Sequence, residues 1–470
     1  MTSPASGSRR SLPTSRFAAR FALAAIAAVL AAGGYFLLQL GFVGAGFTAK
    51  LLCSGVFVSG RPAADVLAQD IALNDPGILR FMRIEVDDAA RRVRASFLGV
   101  REQLAEFRDG LGCTLAGAPA LAATRPAGTP ATPALSPAAL DAPPPAHDAG
   151  RLERAMAAAF DEPDPARARR TRAVVVLHDG RLVAERYAPG FGPQTPLPGW
   201  SMAKSVLNAL LGVLVQEGRL ALDAPVPLAA WRDPGDPRGA ITLRQLLQMQ
   251  SGLAFSENYA NPLDDVVWML FASADTAGFA AAKPLAAEPG SQWQYSSGTS
   301  NILSRVLREA LGSDAEYAAY PRRALFAPLG MDSAVMEPDA AGNYVASSYL
   351  YATARDWARF GQFYLDDGVA AGRRLLPEGW VAFSTTPAPH APDQAFGAHF
   401  WLKVPGEFAG GTRSSAGLPP GTFHAVGYEG QFVSVVPARR LVVVRLGLSS
   451  GAGAWNHLDF LNAVVAAFRE

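Results

Sequence analysis

The chain has 470 residues, half of them hydrophobic, and a net charge of +1, which allows two or three domains around a large core. Without a basic stripe or a dominant charge sign it does not read as a nucleic-acid binder. Its two cysteines are too few for a disulfide scaffold or a zinc cage, and its six histidines lack a His-Glu-x-x-His pattern, so no metal centre is expected.

Residues 1–20 carry Arg9, Arg10, Arg16 and Arg20 and no acid. Residues 21–49 carry no charge and are mostly apolar, long enough for a bilayer core of roughly 30 Å. The basic flank places the N-terminus in the cytoplasm and the rest outside, as a single-pass inner-membrane protein with its main domain in the periplasm. A cleaved signal peptide is the alternative. The run is long for one, and no small-residue cleavage site follows. Residues 50–114 read as a small domain. Met82, Ile84 and Val86 alternate, as do Val93, Ala95 and Phe97, predicting a hairpin. In an oxidising compartment a Cys53–Cys113 disulfide would close this unit, the alternative being two buried thiols.

Residues 115–147 hold eight prolines among alanines and threonines, a linker that would hold the next domain off the membrane. From 148 to 470 the composition is globular. His178-Asp179-Gly180 joins two apolar runs, 173–177 and 181–187, as a hairpin. A helix is predicted from Ile241, strands at 422–427, 431–436 and 440–447, and a closing helix at 454–469. Strands at both ends with helices between predict one sheet built from the two termini of this domain.

The chemistry centres on Pro198-Gly-Trp-Ser-Met-Ala-Lys-Ser205. Val206, Leu207, Leu210, Leu211, Val213 and Leu214 form an apolar helical stripe, and Gly218 ends it. Pro198 and Gly199 disfavour helix upstream, so Ser201 falls at the helix start. Lys204 lies one turn on, on the same face. Serine is a poor nucleophile until a base takes its proton, and a buried lysine with a lowered pKa is such a base. The plain alternative makes Ser201 an N-cap and Lys204 a solvated residue. A second candidate is Tyr295, on a polar loop after Pro289-Gly290, as a general base; its alternative is a packed ring. The third is Gly427-Tyr428-Glu429-Gly430-Gln431, either a strand that lines up substrate and offers an N–H to an oxyanion, or a tight turn with Gly430 left-handed. Gly447-Leu-Ser-Ser-Gly451 fits a nucleophile elbow, but His457 and Asp459 follow too closely and in the wrong order.

Taken in order, Ser201-x-x-Lys204, Tyr295-Ser-Ser297 and the glycine-bearing strand resemble the serine β-lactamase and penicillin-binding superfamily. The branch is the class C one, with esterases, D-amino-acid peptidases and 6-aminohexanoate-dimer hydrolases. Gly218-Arg-Leu-Ala-Leu-Asp223, Leu246-Leu247 with Ser251-Gly252-Leu253, and Pro328-Leu-Gly-Met331 are similar to its supporting segments, over roughly residues 150–470. The resemblance implies an α/β (α+β) fold: an antiparallel sheet flanked by helices, with a helical subdomain, here preceded by an anchor and a small domain. It implies a serine hydrolase without cofactor, acting on a small-molecule or peptide ester or amide through an acyl-serine. Ser201 would be the nucleophile, Lys204 and Tyr295 would share its proton, and the N–H groups of Ser201 and Gln431 would form the oxyanion hole. Ser297 stands where the family often has Asn. Tyr428-Glu429-Gly430 replaces the usual Lys or His before glycine, so a substrate without a carboxylate there, or with an amine for Glu429, is expected. The alternative function is a non-catalytic or slow-turnover penicillin-binding-like sensor.

Overall fold

The computed structural model describes residues 14–72, 77, 79–115, 146–449, 451 and 453–468. The basic residues Arg9 and Arg10 and the linker from 116 to 145 lie outside these. The apolar run forms one helix, α1 (Thr14–Cys53). It is the one helix among the described residues long and apolar enough to cross a membrane. Its two halves differ. Residues 20–37 are exposed, with Phe21 at 81 % and Val29 and Leu30 at 70 %, over about 27 Å at 1.5 Å per residue. From Val43 onward α1 is packed in protein, so the apolar run of residues 21–49 is divided between an open face and a core.

The buried half of α1 lies across an antiparallel meander, β1 (Met82–Asp87), β2 (Arg92–Phe97), β3 (Arg101–Arg108) and β4 (Gly112–Leu115). The expected hairpin is its first half. The second half follows a turn at Asp109-Gly110, a hairpin signal the polar strand β3 obscures. Ala45, Ala49 and Leu52 of α1 pack on Val93, Ala95 and Ala105. A Cys53–Cys113 disulfide ties the helix end to β4.

This unit does not stand apart from the larger region. Glu337, fully buried, accepts from Lys50 and from Ser54 Oγ (2.9 Å), and from the backbone N–H of Cys113 (2.6 Å). Asp70 pairs with Arg172 of the main sheet. Phe47 meets Phe271 edge-on, and a Cβ on Gly46 would come within 1.9 Å of the Phe271 carbonyl oxygen, so only glycine fits.

The main sheet is antiparallel and five-stranded. It contains β5 (Thr171–His178), β6 (Arg181–Tyr187), β7 (Phe423–Gly427), β8 (Gln431–Val436) and β9 (Leu441–Gly447), in the order β7-β8-β9-β5-β6. It thus joins the two ends of the region, as the strand pattern predicts. Alternation sorts its two faces. Val175, Leu177, Val442 and Val444 face a helical layer of α3 (Met202–Gln216) and α6 (Ala354–Leu365). Val174, Val176 and Val443 face α2 (Ala149–Ala158) and α7 (His457–Val465). The helical insertion holds α4 (Asp265–Phe271) and α5 (Ser297–Leu311).

Removing one partner of a buried ion pair strands the other, at roughly 3–5 kcal/mol. Glu337→Ala is therefore expected to lower the urea midpoint of the full chain by a cost of that order. Lys50→Met with Glu337→Met should recover most of the loss. A midpoint unchanged in Glu337→Ala would show that the pair does not hold the two regions together.

Candidate active site

The Pro198–Ser201 segment is fixed from both sides. Pro198 bridges to Tyr351, and the Gly199 N–H donates to Leu350 O at 2.8 Å. Gly199 must be glycine, since a Cβ would sit 2.2 Å from the Trp357 ring. Trp200 then takes a φ of +47°, strained for a bulky residue, and Ser201 opens α3. Ser201 occupies the N-cap position but makes no side-chain capping bond. Its Oγ instead lies 2.9 Å from Lys204 Nζ. The plain N-cap reading therefore does not hold, nor does that of a solvated lysine, for Lys204 is 2 % exposed.

Lys204 Nζ has two further partners, Ser297 Oγ and the Ser347 carbonyl, each at 3.0 Å. A neutral amine has two N–H groups and one lone pair. The ammonium donates to all three partners; the neutral amine keeps Ser297 and Ser347 as acceptors and turns its lone pair to the Ser201 hydroxyl. Burial lowers the Lys204 pKa to about 8, against the opposing pull of Glu257. Ser297 Oγ in turn donates to Glu257 Oε1 (2.5 Å), and its N–H donates to Oε2 (2.7 Å). Glu257 is itself shifted upward, chiefly by burial. It lies in an irregular stretch with no periodicity to mark it, and sequence reasoning missed it. The Ser347 carbonyl was equally hidden, being backbone; Asn301 of α5 holds the Ser347 N–H at 3.1 Å.

Tyr295 enters from the opposite wall. Phe396 meets its ring edge-on at 5.8 Å, and Trp401 lies 5.7 Å away. Lys204 Nζ is 4.9 Å from the ring centre, and the hydroxyl lies beside Ser201. Burial, then Glu257, raises the Tyr295 pKa far above the tyrosine range. The phenol therefore stays protonated and keeps its hydrogen to donate.

Ser201, Glu257, Tyr295, Gly427 and Tyr428 line one cleft of about 760 Å³. Glu407, Asp393 and Arg413 also line it, the last two as an ion pair at 3.3 Å. The remaining residues of this turn sit beside the cleft. Gln431 does not line the cleft. It pairs with Gly427 across the turn, and its amide donates to the carbonyls of Tyr428 (3.0 Å) and Gly447 (2.5 Å). The close approach comes at Gly427, where a Cβ would lie 2.1 Å from Gly199 O. Glu429 does not face the cleft either. At a φ of +61° it turns into a neighbouring cavity beside α1. Gly430, left-handed at +85°, packs against Arg445 as a turn residue.

Arg445, which the sequence did not mark, holds this turn. Fully buried, it donates to the carbonyls of Gly430 (2.8 Å) and Glu429 (3.3 Å), to Thr171 Oγ1 and to Ser449 Oγ. Ser449 also donates to Arg169 O, which gives the Gly447–Gly451 motif a structural task. Among the described residues, no group of three or more His, Cys, Asp or Glu side chains could hold a metal.

Residues 151–457 match the model of the beta-lactamase family. The chain belongs to this family. It is 29 % identical over 221 residues to the 6-aminohexanoate-dimer hydrolase of Paenarthrobacter ureafaciens, covering 45 % of this chain and 56 % of that protein, so it spans little more than half of that relative's length. The fold is shared with a penicillin-binding protein homologue from Caulobacter crescentus (TM-score 0.52, 20 % identity, 68 % of this chain and 96 % of that one). It is shared also with a family VIII carboxylesterase (TM-score 0.51, 18 % identity, 70 % and 98 %).

The Lys204 environment sets the pH response. Below about pH 8 the amine carries its proton and has no lone pair for Ser201. Acylation, measured as kcat/KM, should rise with pH and level off above that point. Glu257→Gln removes the charge that raises the Lys204 pKa, so it should move this acid limb to lower pH. A limb left in place by Glu257→Gln would overturn the assignment.

Proposed function

We propose that the protein is a membrane-anchored serine hydrolase that cleaves an ester or amide through an acyl-Ser201 intermediate. The observation that carries this is Ser201 Oγ bonded to a buried amine whose two remaining partners are both acceptors. Neutral Lys204 takes the Ser201 proton as Oγ adds to the substrate carbonyl. The N–H of Ser201 and that of Tyr428 receive the developing oxyanion, Tyr428 replacing Gln431 in this role. Tyr295, or the Lys204 ammonium, hands a proton to the leaving alcohol or amine as the carbonyl–heteroatom bond breaks. Water, losing a proton to Lys204, then adds to the acyl carbonyl, and that proton passes to Ser201 Oγ as the acyl–Oγ bond breaks and the acid leaves. Ser297 and Glu257 position Lys204 and modulate its charge.

The exposed half of α1 supports an anchor, its length close to a bilayer core of roughly 30 Å. The basic N-terminal flank supports a periplasmic catalytic region. The Cys53–Cys113 disulfide agrees with an oxidising compartment. Residues 50–114 act as a collar joining the anchor to the catalytic region from residue 148.

Wild type and Ser201→Ala should be profiled on small esters, amides, D-peptides and β-lactams, with fluorophosphonate labelling of the full chain. Turnover with labelling at Ser201, both lost in Ser201→Ala, is expected. Labelling that persists without turnover would favour a sensor over an enzyme. Turnover surviving in Ser201→Ala would overturn the site. Lys204→Ala should slow acylation at least about a hundredfold, the order for a lost general base.

A further inference from the structure

A second cavity, of about 460 Å³, lies between Tyr428 and α1. Leu40, Val43, Phe47 and Leu51 of α1 form one wall; Trp200, Val267 and Phe271 are on the facing side. Polar groups are few: Arg61 and Asp70 are already paired at 2.7 Å, and Glu429 enters at the Tyr428 end.

Its position matters more than its size. Tyr259 and Tyr428, stacked with ring centres 5.1 Å apart, line both this cavity and the Ser201 cleft. Trp200, beside the nucleophile in sequence, meets Tyr428 edge-on at 5.8 Å. Two tyrosine rings thus form the partition between an apolar chamber and the reacting serine, and Tyr428 is 43 % exposed. At the far end the cavity starts at Leu40, three residues beyond Leu37, which closes the fully exposed apolar stretch of α1. Arg101 marks that level, bonding Gln39 Oε1 at 2.8 Å and stacking on Phe42.

We propose that this cavity holds the hydrocarbon chain of the substrate, and that the natural substrate is an ester or amide of a fatty acyl chain arriving from the membrane side. This rests on the reading of Ser201 as the acylated nucleophile. The chain lies against α1, the carbonyl passes the Tyr259–Tyr428 pair to reach Ser201 Oγ, and the leaving group occupies the polar cleft with Glu407 and Asp393. At roughly 30 Å³ for each water-sized group, the volume takes on the order of ten to fifteen carbons. The reaction balances as acyl ester plus water giving fatty acid and alcohol, with no co-reactant.

The test is a series of p-nitrophenyl esters from acetate to tetradecanoate, with the full chain in phospholipid nanodiscs and Ser201 labelled in parallel. In the apolar chamber each added methylene should raise kcat/KM about two- to fourfold, the upper figure corresponding to roughly 0.8 kcal/mol per buried CH₂. The rise should continue to about decanoate. Gly44→Leu, which fills the cavity from α1, and Ala260→Trp, at an exposed position on its rim, should each cut the decanoate-to-acetate ratio at least about twentyfold. Two variants are used because one position is in a packed helix and the other is not. A ratio unaltered in both, or a wild-type optimum at acetate with Ser201 still labelled, would overturn the acyl-chain site and leave the hydrolase reading intact. No labelling and no turnover of any ester would remove both.

Discussion

The active-site arrangement depends on a cation-forming group placed where a cation is costly. Lys204 sits on a helix that is buried on nearly every side, among partners that can only accept from it or be deprotonated by it. Desolvation favours the neutral amine, and Glu257 pulls the other way through Ser297. Neither would suffice alone. Without burial the amine would hold its proton well above pH 8; without Glu257 a buried amine would gain its proton less readily when it must carry one to a leaving group. The Ser297 hydroxyl is the coupling between them.

Around this core the backbone is built for approach. Gly199 lets the nucleophile strand pass Trp357, and Gly427 lets the edge strand pass Gly199. Trp200 and Glu429 take left-handed conformations on either side of the site. Such strain persists only where surrounding contacts hold it. Arg445 supplies several of them, binding the carbonyls of the Glu429–Gly430 turn from beneath the sheet.

The fold and part of the site were legible in the sequence for physical reasons. Val174 and Val175 fall on opposite faces of β5, so the strands announced themselves by alternation. Ser201 and Lys204 lie one helical turn apart, so their meeting follows from helix geometry. Tyr295 was legible only in company, since its ring is oriented by Phe396 and Trp401 from a distant segment. Which N–H of the Gly427–Gln431 turn faces the serine was not legible. Both Gly427 and Gly430 can relieve crowding, and sequence does not say which one the neighbouring strand approaches. Glu257 had no spacing to betray it, and a backbone carbonyl such as that of Ser347 has no sequence identity at all. The partition of α1 was hidden for another reason: its exposed half and its packed half are built from the same apolar side chains, so one unbroken run covers both.

That partition bears on how the enzyme would search for what it cleaves. A flexible stalk lets a catalytic domain sweep a hemisphere. Here α1 runs unbroken from its exposed half into the body of the protein, where Glu337, the disulfide and the Asp70–Arg172 pair clamp it. With the exposed half in a bilayer, the clamped catalytic body sits at a set altitude and tilt. Its diffusion becomes that of a disc sliding in a plane, with the opening of the serine site always at one height above the lipid.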